Sequence, residues 1–381
     1  MMKKTGPTYP AARAVAPIVA EQLAEHLATV RQRGYEELAP QPVIVQIEAL
    51  IDAAFWASLR KEEGHDPRIS LAFLPPDGTG HPMVFDKPLP LSPEPLARLA
   101  PAVERAGIHL GVWPDGGKLR VWGTTRSVPN LTFVLEVVEP GVLVLKYRRG
   151  DELDKFGTIA VLRGDRIEVV DEGAVSLPDC PALLSTLLGF GAQLPAAGPT
   201  DVLIQLAVSM RTHGRGGSLL VVPAAGDGWR DSALQPMPYR VAPYADLSEL
   251  LRAGDEERAR SAWRESLRRS VAAVAGLTAV DGATVINERH EVLAFGVKLV
   301  RKRGSERVDQ VAVTAPVMGN APEVVDPSRL GGTRHLSAAQ FIHDQRDALA
   351  LVASQDGRFT VFAWSPCEGM VHAHRVETLL M

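Results

Sequence analysis

The chain has 381 residues, a formal net charge of −4, 46% hydrophobic residues and 23% charged residues. That length exceeds one ordinary core and predicts two domains, while the slightly acidic balance provides no polycationic footprint and excludes DNA or RNA as an expected partner. Two cysteines, Cys180 and Cys367, cannot build a disulfide framework, and no window approaches 18 uninterrupted apolar residues, so a soluble cytoplasmic protein without a membrane partner is expected.

Lys3 and Lys4 ahead of an Ala-rich run imitate a signal peptide, but Arg13 and Pro17 interrupt that run. Ile18, Val19, Leu23, Leu27 and Val30 recur at helical spacing, with Pro17 suited to a first turn and Gly34 to the end. A second helix is expected from about Pro42, with Ile47, Leu50, Ile51, Ala54, Phe55 and Leu59 on its apolar side. Ile69 to Leu74 reads as a buried strand, the Pro- and Gly-rich run from Pro75 to Pro95 as a long loop, and Glu94 to Ala106 as a third helix stopped by Gly107. From Ile108 the pattern becomes short β-rich runs: 108–113, 118–123, 131–138, 142–147, 157–162 and 167–170. Turn signals such as Asp115-Gly116-Gly117 and Pro140-Gly141 separate them. Their even spacing predicts an antiparallel meander packed on the helices, and residues 1–195 read as an α+β domain. His65 and His81 sit in polar loops and read as solvated.

Gln193 to Thr200 is the expected boundary, and 196–381 the second domain. Thr200 or Asp201 would cap a helix from Val202 to His213. His213-Gly214-Arg215-Gly216-Gly217 then leads into the strand Ser218–Val222; its glycines precede a strand, so it is no P-loop and reads as a helix C-cap with a tight turn. Trp229 to Tyr244, with Pro236, Pro238 and Pro243, reads as a loop. Trp263, Leu267, Val271 and Val274 form the core stripe of a helix ended by Gly276. A hairpin through Asn287-Glu288-Arg289-His290, a basic loop at Arg301-Lys302-Arg303, a strand near Val311–Thr314, a helix opened by Thr333 or Ser337, and strands at 349–354 and 359–364 follow. This order predicts an α/β fold with a mixed sheet flanked by helices.

The chemistry concentrates in two short stretches. Asp281 precedes Gly282 and Ala283 at a helix-to-strand junction, where a carboxylate can hold Mg²⁺ or Mn²⁺ or a ribose hydroxyl, or simply start a strand as an Asx turn. Gly331-Gly332-Thr333-Arg334-His335 stands just before a helix, offering backbone N–H groups, a hydroxyl, a guanidinium and an imidazole to an anion. His372 and His374, at i and i+2 on an expected terminal strand, face one way but do not close a metal site by themselves.

Residues 200–375 resemble the diadenylate cyclase domain, the DisA N-terminal type. The resemblance runs from Gly217–Val222 through Asp281-Gly282-Ala283-Thr284-Val285-Ile286, Glu291–Val297 and Gly332-Thr333-Arg334-His335 to Asp347–Gly357. It implies that Asp281 serves a metal or ribose, that Gly282 and Ala283 allow the nucleotide's close approach, and that Gly332, Thr333, Arg334 and His335 meet phosphates, with Ser354 also at the site. In that family two protomers face each other and join two ATP into cyclic di-AMP. Two departures stand out: Leu336 replaces the last residue of an Arg-His-Arg motif, and Gln355 replaces a glutamate found after the serine in many cyclases. Loss of a cation and a carboxylate weakens in-line displacement more than binding. The layout also resembles the divergent DACNV-type probable sensor domains. Three readings follow: a sensor that binds ATP or a cyclic dinucleotide with little turnover; an active diadenylate cyclase working as a homodimer or higher oligomer with Mn²⁺ or Mg²⁺; or a relic that binds nothing.

Overall fold

The structure is a computed structural model that describes residues 8–32, 38–80, 82–105, 107–149, 156–171, 199–237, 239–258 and 260–381. It divides into two compact units, Met1–Val170 and Asp171–Met381. Gly34, His81, Ala106, Cys180, Pro238 and most of the expected boundary at Gln193–Thr200 lie outside the described residues. No helix among the described residues is long and apolar enough to cross a membrane.

In the first unit three helices cover one face of an eight-stranded sheet. Small side chains let α1 (Pro10–Gln32) pack closely: Ala11, Ala12, Val15, Ala16, Val19 and Leu23 are buried. Pro17 lies inside this helix and not in its first turn, so the sequence reading started the helix too late. α2 (Ile44–Ser58) buries Ile47, Leu50, Ile51 and Ala54, and the Gln46 side chain accepts the Val43 N–H at its start. α3 (Pro93–Val103) buries Leu96, Ala97, Ala100 and Val103. Apart from Ala97, these residues share one core with Ile69, Leu71 and Phe73 of the central strand. Each fully buried Leu or Ile contributes about 2–3 kcal/mol of hydrophobic stabilisation.

The strands are β1 (Ile69–Phe73), β2 (Met83–Pro90), β3 (His109–Asp115), β4 (Lys118–Thr125), β5 (Phe133–Glu139), β6 (Val142–Arg148), β7 (Phe156–Arg163) and β8 (Arg166–Val169), in the order β2-β4-β3-β1-β5-β6-β7-β8. Two expectations need correction. The run Pro75–Pro95 contains an edge strand, β2, whose exposed, proline-bearing pattern conceals it from hydrophobic periodicity. The meander is confined to β5–β8; the β3–β4 hairpin joins the other side of β1, with β3 parallel to β1, so the sheet is mixed.

The second unit is a nine-stranded mixed sheet with helices on both faces. Its elements are α4 (Pro199–Thr212), β9 (Gly217–Val222), β10 (Tyr239–Tyr244), α5 (Ser261–Leu277), β11 (Ala283–Asn287), β12 (Val292–Val297), β13 (Val311–Thr314), β14 (Glu323–Val325), α6 (Thr333–Asp344), β15 (Leu349–Ala353), β16 (Phe359–Ser365) and β17 (Met370–Arg375). The strand order is β10-β12-β11-β9-β15-β16-β17-β13-β14. α4 and α5 pack on one face through Leu206, Met210, Trp263, Leu267, Val271 and Val274, which makes the expected Trp263 stripe core. α6 covers the other face through Ala338, Ala339, Phe341 and Ile342. The stretch expected as loop to Tyr244 ends in the edge strand β10, which again carries a proline, Pro243. Thr200 and Asp201 fall inside the first turn of α4, and Gly276 lies within the last turn of α5, whose C-cap is Thr278.

The same path is traced twice. Strands β2-β4-β3-β1-β5-β6-β7 and β10-β12-β11-β9-β15-β16-β17 have the same order, and in each set the first and third strands in chain order are parallel while the other neighbours are antiparallel. A helix precedes the first strand of each set (α2, α4) and another precedes the third (α3, α5). An aromatic–glycine pair marks the same crossing in both: a Cβ on Gly123 after Trp122 would meet the Met83 carbonyl oxygen at 2.0 Å, and one on Gly296 after Phe295 would meet the Tyr239 ring at 2.8 Å. The difference lies between the fourth and fifth strands. Residues 126–132 make that connection in the first unit; residues 298–348, carrying β13, β14 and α6, make it in the second.

Candidate functional site

The sequence candidates of the second unit meet at one end of its sheet. β9 and β11 are parallel and begin there, β12 and β15 end there, and α6 begins over the same edge. Gly216 turns the chain into β9 with φ +69°, and a Cβ on Gly217 would come within 2.5 Å of the Thr278 carbonyl oxygen at the end of α5. The expected tight turn is present, and it also forms ground beneath a cation: the position of a Cβ on Gly216 is 3.1 Å from Arg334 Nη1 and 3.2 Å from the Ala353 carbonyl oxygen. A larger residue here would push the guanidinium away.

Asp281 enters β11 through Gly282, whose φ of +114° and 2.4 Å approach of a would-be Cβ to the Gly296 carbonyl carbon permit only glycine without strain. Ala283 is buried and pairs with Ser218 and Val297. The Asp281 side chain is 86% exposed and makes an ion pair with Lys298, the residue that follows β12. The hydrogen bond and charge of Lys298 hold the Asp281 carboxyl below the usual carboxylate range, and Arg334 acts in the same direction. Asp281 and Arg334 therefore act on each other although they are 53 positions apart in the chain. Lys298 escaped the sequence reading because the resemblance stopped at Val297; its signal was its register, one residue beyond the partner of Ala283.

α6 starts at Thr333 with Gly332 as N-cap and no side chain capping it. Thr333 is exposed and Arg334 half-buried; neither has a hydrogen-bonded or ion-paired side chain among the described residues. His335, assigned to phosphates by the resemblance, is instead only 3% exposed and packs edge-on against Phe362. Burial holds its imidazole below the ordinary histidine range, helped by Arg358, Arg375 and Arg334 and opposed by Asp356, so at neutral pH it is uncharged. A Cβ on Gly331 would lie 2.7 Å from His335 Nδ1, so Gly331 makes room for the ring. His335 seats the helix start; Arg334 faces the site.

Ser354 closes the β15–β16 turn: its N–H donates to the Arg358 carbonyl (2.9 Å), and its hydroxyl hydrogen-bonds Asp356, the largest influence lowering that carboxyl's pKa. Gln355, in the place of the family's glutamate, donates through Nε2 to the Arg215 carbonyl at 3.4 Å. Leu336 lines a concavity of about 180 Å³ with Leu299, Val300, Arg301, Ser337 and Gln340, beside the Lys298 segment. A divalent cation at Asp281 finds a poor donor set: the carboxylate already carries an ammonium, and the described residues contain no group of three or more His, Cys, Asp or Glu able to hold a metal. His372 and His374 do lie together, ring centres 5.6 Å apart, but His372 bonds Glu368 and His374 bonds Thr314 in the sheet interior.

Residues 36–126 match the family model "Probable sensor domain DACNV". The match falls on the first unit, from α2 to just beyond β4, whereas the sequence resemblance was drawn on residues 200–375. No curated protein matches the chain. Among solved structures, a hypothetical membrane spanning protein from Bacillus cereus is similar at 15% identity over 50% of this chain and 70% of that one, with a TM-score of 0.27. DacA from Staphylococcus aureus, in a double-mutant form, is similar at 15% identity over 45% of this chain and 83% of that one, with a TM-score of 0.24. The chain is thus similar, over its first unit, to a probable sensor domain.

Proposed function

We propose that the second unit binds an adenine nucleotide or cyclic dinucleotide at the edge formed by Gly216, Gly282, Lys298 and Arg334, and that the protein acts as a sensor with little or no turnover. The observation that carries this reading is the convergence of four segments distant in sequence on one sheet end, with an unpaired guanidinium beside glycines that leave the backbone open. Arg334 and the uncapped start of α6 supply positive charge and N–H donors suited to phosphate. Gly216 and Gly282 permit close approach by a ribose phosphate backbone. Leu336 and Gln355 stand where a cyclase carries charge, which favours retention over in-line displacement.

The test is to titrate the full chain with ATP and with cyclic di-AMP by calorimetry, and to incubate it with ATP and Mn²⁺ while assaying cyclic di-AMP. Binding without product supports the sensor. Product that disappears in Asp281→Asn would establish the cyclase instead. Absence of binding to either compound would leave the framework without this function.

A further inference from the structure

We infer that Lys298 takes the place of a divalent cation at this site, so that the second unit binds its polyphosphate or phosphodiester ligand without metal. The inference rests on the nucleotide reading above and specifies its ligand chemistry. Lys298 follows the last residue of β12, and Ala283 pairs with Val297, so register alone sets the ammonium opposite Asp281-Gly282. The ion pair is made across the mouth of the site, with half of the Lys298 side chain and most of that of Asp281 still open to solvent.

In nucleotide sites that use Mg²⁺, one or two carboxylates and the ligand's phosphates usually complete the shell with water. Here an ammonium already holds Asp281, and Asp356 on the β15–β16 turn is engaged by Ser354 and Arg358. Together Lys298 and Arg334 outweigh Asp281 by one positive charge, and Arg301 adds another on the wall of the adjoining concavity. Arg334 and Arg301 have no carboxylate partner among the described residues. An arriving phosphate therefore meets fixed cations directly, and Asp281 orients the lysine instead of a metal. Charge-assisted hydrogen bonds of this kind are the strong class of polar contact.

The experiment is calorimetric titration of the full chain with ATP and with cyclic di-AMP, once in EDTA and once in Mn²⁺. The expected result is the same Kd, within about threefold, in both buffers. Lys298→Met should weaken binding in EDTA by about tenfold or more, with Mn²⁺ restoring part of it through the released Asp281, while Lys298→Arg stays within a few-fold of wild type. Asp281→Asn should keep measurable binding in EDTA, because both cations remain although the lysine loses the carboxylate that orients it. Binding that requires Mn²⁺, or that Asp281→Asn abolishes, overturns the lysine's role and leaves the nucleotide reading standing. No binding in either buffer overturns both.

Discussion

The two units follow one seven-strand path and diverge where the ligand chemistry would sit. In the second unit the start of β11 carries Ala283 beside Ser218, with Gly282 before it and Lys298 opposite. In the first, the corresponding pair of parallel strands carries His109 beside Ser70, both buried and joined by a 2.7 Å hydrogen bond between Ser70 Oγ and His109 Nδ1. The first unit also passes from β4 to β5 through residues 126–132, without any equivalent of α6 and its Arg334. A single topology therefore recurs in both units, and the second differs from the first by an inserted segment and a handful of small residues.

The comparison can be broken at its glycines. Gly282→Ala forces a Cβ into the Gly296 backbone at a positive φ and is expected to destabilise the chain by about 2–5 kcal/mol, read as a lower denaturation midpoint. Gly111→Ala sets a Cβ 2.0 Å from the Trp122 ring and is expected to cost a similar amount in the first unit. If Gly282→Ala folds with wild-type stability, the tight β11–β12 crossing is wrong.

A sharper effect on function than on stability is expected at Arg334. Arg334→Ala should weaken nucleotide binding by about 10- to 100-fold, corresponding to about 1.5–3 kcal/mol for a charge-assisted contact, with little change in denaturation. Retained affinity would move the phosphate site elsewhere.

Acid should weaken the second unit through its buried imidazoles. Burial, with the His372 charge adding to it, lowers the His374 pKa from 6.5 to about 3, and its Nε2 has no hydrogen-bond partner among the described residues. As pH falls, the unfolded chain takes up this proton first, so stability present above pH 6.5 is lost progressively between 6.5 and about 3. The slope is about 1.4 kcal/mol per pH unit for one such group. Neutral His335 adds in the same direction. Chemical denaturation at pH 7.5 and 5.5 checks this, and His374→Asn should flatten the difference. Equal stability at both pH values would mean the ring is not held neutral.

The smallest effect on binding is expected in the first unit. Ser70→Ala, which removes a buried hydrogen bond to His109, should cost about 1 kcal/mol of stability and leave nucleotide affinity unchanged. A loss of affinity would bring the first unit into the binding event.

Much of this arrangement was legible in the residues. Trp263, Leu267, Val271 and Val274 announced a core stripe by spacing, and the hairpin of β11 and β12 by its flanking apolar runs, because burial on one face writes a period into sequence. The edge strands β2 and β10 did not show, since one-sided exposure and prolines erase that period. Gly282 and Arg334 were found as motif members, but Lys298 was not. Its place beside Asp281 depends on the register of the β11–β12 hairpin, which apolar spacing alone does not fix. His335 was misassigned for a related reason: only the packing of α6 on β16 determines that it turns inward while Arg334 stays at the surface. The internal repetition left no visible period either, because two copies of one path need share only the apolar pattern that each core demands.

The central claim, that the charged edge of the second unit binds the nucleotide, is tested most directly by titrating the full chain with ATP in EDTA and measuring stoichiometry alongside affinity. The account predicts one ATP per chain, bound about 10- to 100-fold more weakly in Arg334→Ala and unchanged in Ser70→Ala. Two ATP per chain, or undiminished binding in Arg334→Ala, would contradict it.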